Sequence, residues 1–206
     1  QAGSSTVGHG LSKTPEMIIV KNRETSDSWG VYHHKNTAAP ETDYLKLQST
    51  GATEDDSGIW GDTAPTATLV TISDSHIVNA SAETYVMYCF HSVDGYSKVS
   101  SYTGNLDDNG PFVYLGFRPS FVMIKSNQAS REWNMIDNKR DTYNAEDDRR
   151  YLYADSAGDE SIRTYDIDFL SNGFKVNDNQ DDINASGETY FYLAFAETPF
   201  RYSNAR

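Results

Sequence analysis

Short apolar runs bounded by Gly, Pro, Asn, Asp and Ser recur along the whole chain, and none keeps the three-to-four spacing of an amphipathic helix. Glu16–Asn22 is the first confident strand. Pro15, which cannot donate to a ladder, stands at its start, and Met17–Val20 is continuously apolar, as if covered on both faces. Trp29–His34 and Tyr44–Leu47 follow as strands, then the β-branched Thr68–Ile72 and the long Thr84–His91. Later come Trp133–Asp137, Tyr151–Ala154, a hairpin of 166–170 with Phe174–Val176, and Thr189–Ala196. Asn172-Gly173 between the hairpin strands suits a tight primed turn. Residues 1–13 read as a Gly- and Ser-rich connector and Gly51–Pro65 as a loop, and Asp141–Tyr151 offers at most a helical turn. Roughly a dozen short strands predict an all-β, antiparallel β-sandwich of jelly-roll or concanavalin-like type.

The pattern also repeats. Thr14-Pro15-Glu16-Met17-Ile18-Ile19-Val20-Lys21 aligns with Arg118-Pro119-Ser120-Phe121-Val122-Met123-Ile124-Lys125, and Val7-Gly8-His9-Gly10-Leu11 with Val113-Tyr114-Leu115-Gly116-Phe117. Asn79-Ala80-Ser81-Ala82-Glu83-Thr84-Tyr85 aligns with Asn184-Ala185-Ser186-Gly187-Glu188-Thr189-Tyr190. The offset is 104 at Pro15/Pro119 and 105 at Tyr85/Tyr190, so the sequence predicts a two-fold duplication over about 7–103 and 113–196. With no flexible linker beyond Asn105–Gly110, the two copies are expected to build one domain over 1–206. The chain begins in mid-phrase without Met, which reads as a processed product or the C-terminal part of a longer polypeptide.

In the closing strands Val86, Tyr88 and Phe90, with Phe191, Leu193 and Phe195, are assigned to the core. The opposite face, with Tyr85, Met87, Tyr190 and Tyr192, then needs loops, ligand or another chain to cover it. Leaving such side chains in water forgoes about 1.5–3 kcal/mol each. This predicts a homo-oligomer.

Charge narrows the function. The 206 residues carry 30 acids against 17 Lys and Arg, a net −13. That opposes nucleic acid, whose phosphates need clustered cations. Lys139-Arg140 and Arg149-Arg150, the basic clusters, sit beside Asp and read as solvated loop charge. No apolar run reaches the roughly 20 residues of a spanning helix, so no membrane insertion is expected. The lone Cys89 excludes an internal disulfide and reads as an inert filler in an apolar strand.

Candidate chemistry is sparse. The acidic loops holding Asp107, Asp108, Asp178, Asp181 and Asp182 carry oxygen ligands of the kind calcium takes, without EF-hand spacing; solvated charge is the plainer reading. His33 and His34 point to opposite strand faces and suit no common metal. The two Asn-Ala-Ser triplets match a glycosylation acceptor, but their repeated place before a strand favours a structural turn. No hydrolase, zincin, phosphate-loop or dinucleotide motif is present, and no catalytic carboxylate pair can be singled out.

The phrases Gly10-Leu11-Ser12-Lys13-Thr14-Pro15-Glu16-Met17, Gly110-Pro111-Phe112-Val113-Tyr114-Leu115-Gly116-Phe117 and Asn184-Ala185-Ser186-Gly187-Glu188-Thr189-Tyr190 carry a further signal. So do Asp168-Phe169-Leu170-Ser171-Asn172-Gly173 and the closing Thr198-Pro199-Phe200-Arg201-Tyr202. Over 8–206 the chain resembles a repeated lectin-like module near the ends of bacteriophage tail-fibre and related virion proteins. The resemblance implies a virion location, other virion proteins as partners, a trimer as the favoured oligomer, and a host surface glycan or receptor as ligand. Trp60, with Tyr96 and Tyr143 behind it, is the candidate stacking surface for a sugar; Trp60 as a core plug is the equal alternative. A purely structural cap and a glycan depolymerase are the competing functions.

Overall fold

The computed structural model describes residues 3–140, 144, 149–163 and 167–199. They fall into two compact units, Gln1–His91 and Ser92–Arg206.

The first unit opens with β1 (Ser5–Gly8), all four residues exposed, paired antiparallel with a later strand. The expected connector therefore contains a strand, invisible to hydropathy because neither face is buried. Then come β2 (Met17–Asn22), β3 (Gly30–His33), β4 (Asp43–Lys46), β5 (Glu54–Asp55), α1 (Ser57–Trp60), β6 (Leu69–Ile72) and β7 (Tyr85–Phe90). The expected loop Gly51–Pro65 thus holds β5 and a helical turn, which Asp56 caps by accepting from the Gly58 amide at 2.8 Å. One sheet has the order β5-β4-β3-β2-β7, the other pairs β1 with β6. Ile18, Val20, Tyr32 and Tyr44 of the large sheet, Val70 and Ile72 of the small one, and Ile59 and Trp60 of α1 form one core.

The second unit comprises β8 (Ser97–Thr103), β9 (Phe112–Tyr114), β10 (Pro119–Ser126), β11 (Asn134–Asp137), β12 (Arg149–Tyr153), β13 (Ser161–Arg163), β14 (Ile167–Leu170), β15 (Gly173–Val176), α2 (Asp181–Asn184) and β16 (Thr189–Ala196). Its large sheet runs β13-β12-β11-β10-β16-β8 and its small sheet β14-β15-β9. Between them lie Val122, Ile124, Ile136, Tyr190 and Tyr192 from one side and Val113, Ile167, Phe169, Phe174 and Val176 from the other. Each unit is therefore an antiparallel two-sheet sandwich. Registers correspond at the repeat offset: Val20 faces Gly30 in β2/β3, and Ile124 faces Asn134 in β10/β11. β8, which falls in the first sequence copy, pairs along its length with β16 and belongs to the second unit.

Three expectations are corrected. The closing strands turn their other face to the two-sheet cores: Tyr85, Met87 and Cys89 pack on the first, and Tyr190, Tyr192 and Ala194 lie in the second, while Phe191 and Leu193, assigned inward, are buried as well on the opposite face of β16. Tyr88, assigned inward, is 48% exposed. Both strand faces are apolar, so alternation alone could not choose between them. The tyrosine face is covered within its own unit, which removes the physical argument for an oligomer. Arg149, read as solvated, is buried in β12 and pairs with Asp168 at 3.2 Å. The end of the expected helical turn, from Arg149 on, is strand; the part at 141–143 and 145–148 lies outside the described residues.

The repeated Asn-Ala-Ser phrase is a hydrogen-bonded corner. The Tyr85 hydroxyl accepts from the Ala80 amide and donates to the His76 carbonyl, both at 2.8 Å. The Tyr190 hydroxyl accepts from the Ala185 amide at 2.8 Å and donates to the Asp181 carbonyl. Asn184 is fully buried, its Oδ1 accepting from the Asn105 amide at 2.9 Å and its Nδ2 donating to the Asp107 and Asp178 carbonyls at 2.9 and 2.7 Å. Asn79 makes the lesser version, donating to the Gly3 carbonyl at 2.9 Å. A buried Asn committed in this way is a turn residue, not a glycan carrier.

Candidate functional site

The described residues of the first unit line open clefts. One, of about 450 Å³, forms where the start of α1 meets the turns after β6 and before β7, with Asp56, Asp74, Ser75, His76 and Ser81 on its wall. His76 is 70% exposed and its Nε2 stands 3.5 Å from Asp27. Asp56 is already engaged as the α1 cap. The cleft can hydrogen-bond a polar ligand, and among the described residues its wall holds no Phe, Tyr or Trp.

Another, of about 510 Å³, lies between the segment entering β2 and the end of β3; Lys13, Glu16, Tyr32, His34 and His91 line it. Burial, then the Glu41 charge, pushes the Tyr32 hydroxyl up to about 12, so it stays a neutral donor. The rings of His33 and His34 are 5.4 Å apart, but His33 is buried and its Nδ1 accepts from the Lys35 amide at 3.1 Å. Among the described residues, no group of three or more His, Cys, Asp and Glu is placed to hold a metal ion.

The second unit has a different kind of cleft. Asp94, Gly95, Tyr114, Gly116, Phe117 and Thr198 surround about 390 Å³. Tyr114 is 66% exposed, the largest value among the exposed large apolar side chains, and Phe112 is 48% exposed. Alternation along β9 sends Val113 into the core and both aromatic rings out. Facing Tyr114 across the sheet is Gly173, where a Cβ would stand 2.0 Å from the Val113 carbonyl oxygen. Only glycine fits there, so the position opposite Tyr114 lays no side chain over its ring. Gly116, at φ +85°, lies beside the ring, where an added Cβ would come 3.6 Å from the hydroxyl. Two glycines thus neighbour the tyrosine, Gly173 at its Cα and Gly116 at its ring.

The sequence candidates are scattered. Trp60 is 2% exposed, edge-on to Tyr32 at 5.9 Å, with Nε1 donating to the Asp43 carbonyl at 3.1 Å. It is a core plug, which corrects its reading as a stacking surface. Tyr96 is 38% exposed and lies edge-on to Phe195 at 6.0 Å. Tyr143 lies outside the described residues. Asp107 and Asp178 each accept from an amide two residues on, of Asn109 and Gln180, closing their own turns. Asp108 is exposed, and Asp181 pairs with Arg131 at 3.4 Å. Burial, then Asp182, raises the Glu132 carboxyl above the usual carboxylate range. These five aspartates form no common site. Phe112 and Tyr114 were missed because Phe112–Leu115 reads as one continuous apolar run. Their signal lay in the repeat itself, which sets Tyr114 against Gly8.

A family model described as a domain of unknown function, DUF7483, matches residues 1–199. No curated protein and no solved structure matches the chain.

Proposed function

The chain belongs to the DUF7483 family, and from that premise we propose that it is a non-enzymatic module of a phage tail fibre or related virion appendage, binding a host surface glycan or other receptor. The observation that carries the reading is the exposed Phe112/Tyr114 pair beside the Asp94–Thr198 cleft. A sugar ring presents C–H faces that pack on aromatic rings and hydroxyls that bond to carboxylate and hydroxyl groups, and this surface has both. The resemblance of the repeated phrases to virion modules supports the location, with other virion proteins as partners. The matching registers of β2/β3 and β10/β11 support an origin of the two units by duplication. A trimer follows from the resemblance to fibres alone.

A second reading, a capping or joining element of the particle, is favoured by Tyr88, 48% exposed on the edge strand β7, where a neighbouring chain could seat. Binding of the native multimer to host cells and to a glycan array tests the first reading. Saturable binding competed by one glycan supports it; absence of binding to its own host overturns it.

A further inference from the structure

We infer that the outer face of the small sheet β14-β15-β9, with the adjoining cleft, is a binding site for a neutral, pyranose-based oligosaccharide, with Tyr114 as its main platform; this rests on the glycan-binding reading above. The face is a shallow trough. Register places Leu170, Gly173 and Tyr114 in one row across the three strands, and Asp168, Lys175 and Phe112 in the next. Their strand neighbours Phe169, Phe174 and Val113 point into the core, so these six point out. Gly173 is the floor, with Leu170 and Tyr114 on either side of it. Phe112 and Tyr114 are two residues apart on one face, about 6.5–7 Å along the strand, so the rings can address neighbouring sugar units. An extended ligand over the Tyr114 ring reaches the cleft beyond it, where the exposed carboxylate of Asp94 and hydroxyl of Thr198 accept and donate hydrogen bonds.

Electrostatics select a neutral ligand. Among the described residues the cleft wall holds a carboxylate and no basic group. Lys175, the cation on the trough, donates to Asn109 Oδ1 at 2.7 Å and to the Gly110 carbonyl. Arg118 pairs with Glu197 at 3.1 Å and donates to the Phe169 carbonyl at 2.5 Å. An acidic polymer would meet Asp94 and a chain of net charge −13 with these cations already engaged. The first unit cannot offer the same surface: its corresponding pair is Gly8 opposite Leu69, and Thr6 faces Thr71 where Phe112 faces Lys175.

The test is calorimetric titration of the intact chain with cellohexaose, chitohexaose and mannohexaose, with an alginate hexamer as the acidic probe. At least one neutral hexamer is expected to bind and the alginate not. Tyr114→Ala should lower affinity about tenfold or more, as loss of an aromatic anchor does, and Tyr114→Phe should keep most of it. An unchanged melting temperature and near-ultraviolet dichroism of Tyr114→Ala show that the fold is intact. If Tyr114→Ala binds a neutral hexamer as tightly as the wild type, the location is overturned and the glycan-binding reading stands. Tighter binding of alginate than of every neutral hexamer overturns the ligand class. Binding of host cells without any hexamer overturns the sugar assignment alone, and binding of neither overturns both readings. Self-association abolished by Tyr114→Ala would make the face a contact between copies, and the proposal would fall.

Discussion

The two units share a frame and differ in what is set on it. In each, a large antiparallel sheet is built from corresponding strands, β4-β3-β2-β7 in one and β12-β11-β10-β16 in the other. The closing strands nevertheless have different fates. β16 has a neighbour on both sides, β10 and β8, and six of its eight residues are buried; β7 is an edge, and none of its six is. Strands entered from the near-identical phrases Asn79–Tyr85 and Asn184–Tyr190 therefore lie in environments that differ with their place in the sheet. The second difference is local filling. Ile59 and Trp60 on α1 supply apolar volume to the first core, where Ile167 and Phe169 on β14 supply it to the second. The third is the small-sheet surface, Gly8 opposite Leu69 in one unit and Tyr114 opposite Gly173 in the other.

The largest test of this comparison is Trp60→Ala. Removing a fully packed indole should cost about 3–5 kcal/mol, and Phe169→Ala a similar amount. Urea denaturation monitored by dichroism reads both, and a silent Trp60→Ala would break the equivalence of α1 and β14. Next is the pair Tyr190→Phe and Tyr85→Phe. Each strips the hydroxyl that serves an amide and a carbonyl, but only Tyr190 is fully buried, so the expected costs are about 2–3 and about 1 kcal/mol. Equal costs would mean that sheet position does not set the worth of the corner.

A smaller effect is a pH slope. Lys125 is buried, its Nζ donating to the Ser126 and Gln128 carbonyls at 2.8 and 3.2 Å, and burial pulls its amine down to about 8. Above that value the unfolded chain still holds a proton, up to about 10.4, that the folded chain has lost, so stability rises with pH. Cys89 opposes this beyond about 8.5, because burial pushes its thiol up to about 11 and the folded chain then keeps the proton the unfolded one releases. Stability should therefore climb between pH about 7 and about 8.5 and flatten above. Lys125→Met should erase the climb; a slope that survives it would assign the effect elsewhere. The smallest effect is Tyr114→Ala, which should shift stability by no more than about 0.5 kcal/mol, as for surface changes away from packed features. A larger loss would make Tyr114 a structural residue of the second sandwich.

Strands with a packed face were legible. Thr189–Ala196 was placed to the residue, and β2, β3, β6 and β7 to within a residue or so at each end. β1 escaped because all four of its residues are exposed, and β8 because Ser97–Thr103 alternates buried Val99 and Tyr102 with polar neighbours at no clean period. The corner tyrosines were visible as a repeated phrase, yet their partners are main-chain atoms, on which side-chain pattern is silent. The candidate site was least legible. Exposure of Tyr114 depends on Gly173 across the ladder, some 60 residues away in the chain, and no local pattern joins them.

The central position of β16 also sets how fast its main chain meets solvent. Both rows of its amide hydrogens are paired, one toward β10 and one toward β8, so deuterium can enter only when a neighbouring strand lifts away. In β7 one row faces β2 and the other faces outward from the sheet. Exchange followed by mass spectrometry or NMR should then show continuous slow protection from Thr189 to Ala196. From Tyr85 to Phe90 it should alternate, every second amide filling early, so that two strands at matching places in the two units keep different clocks.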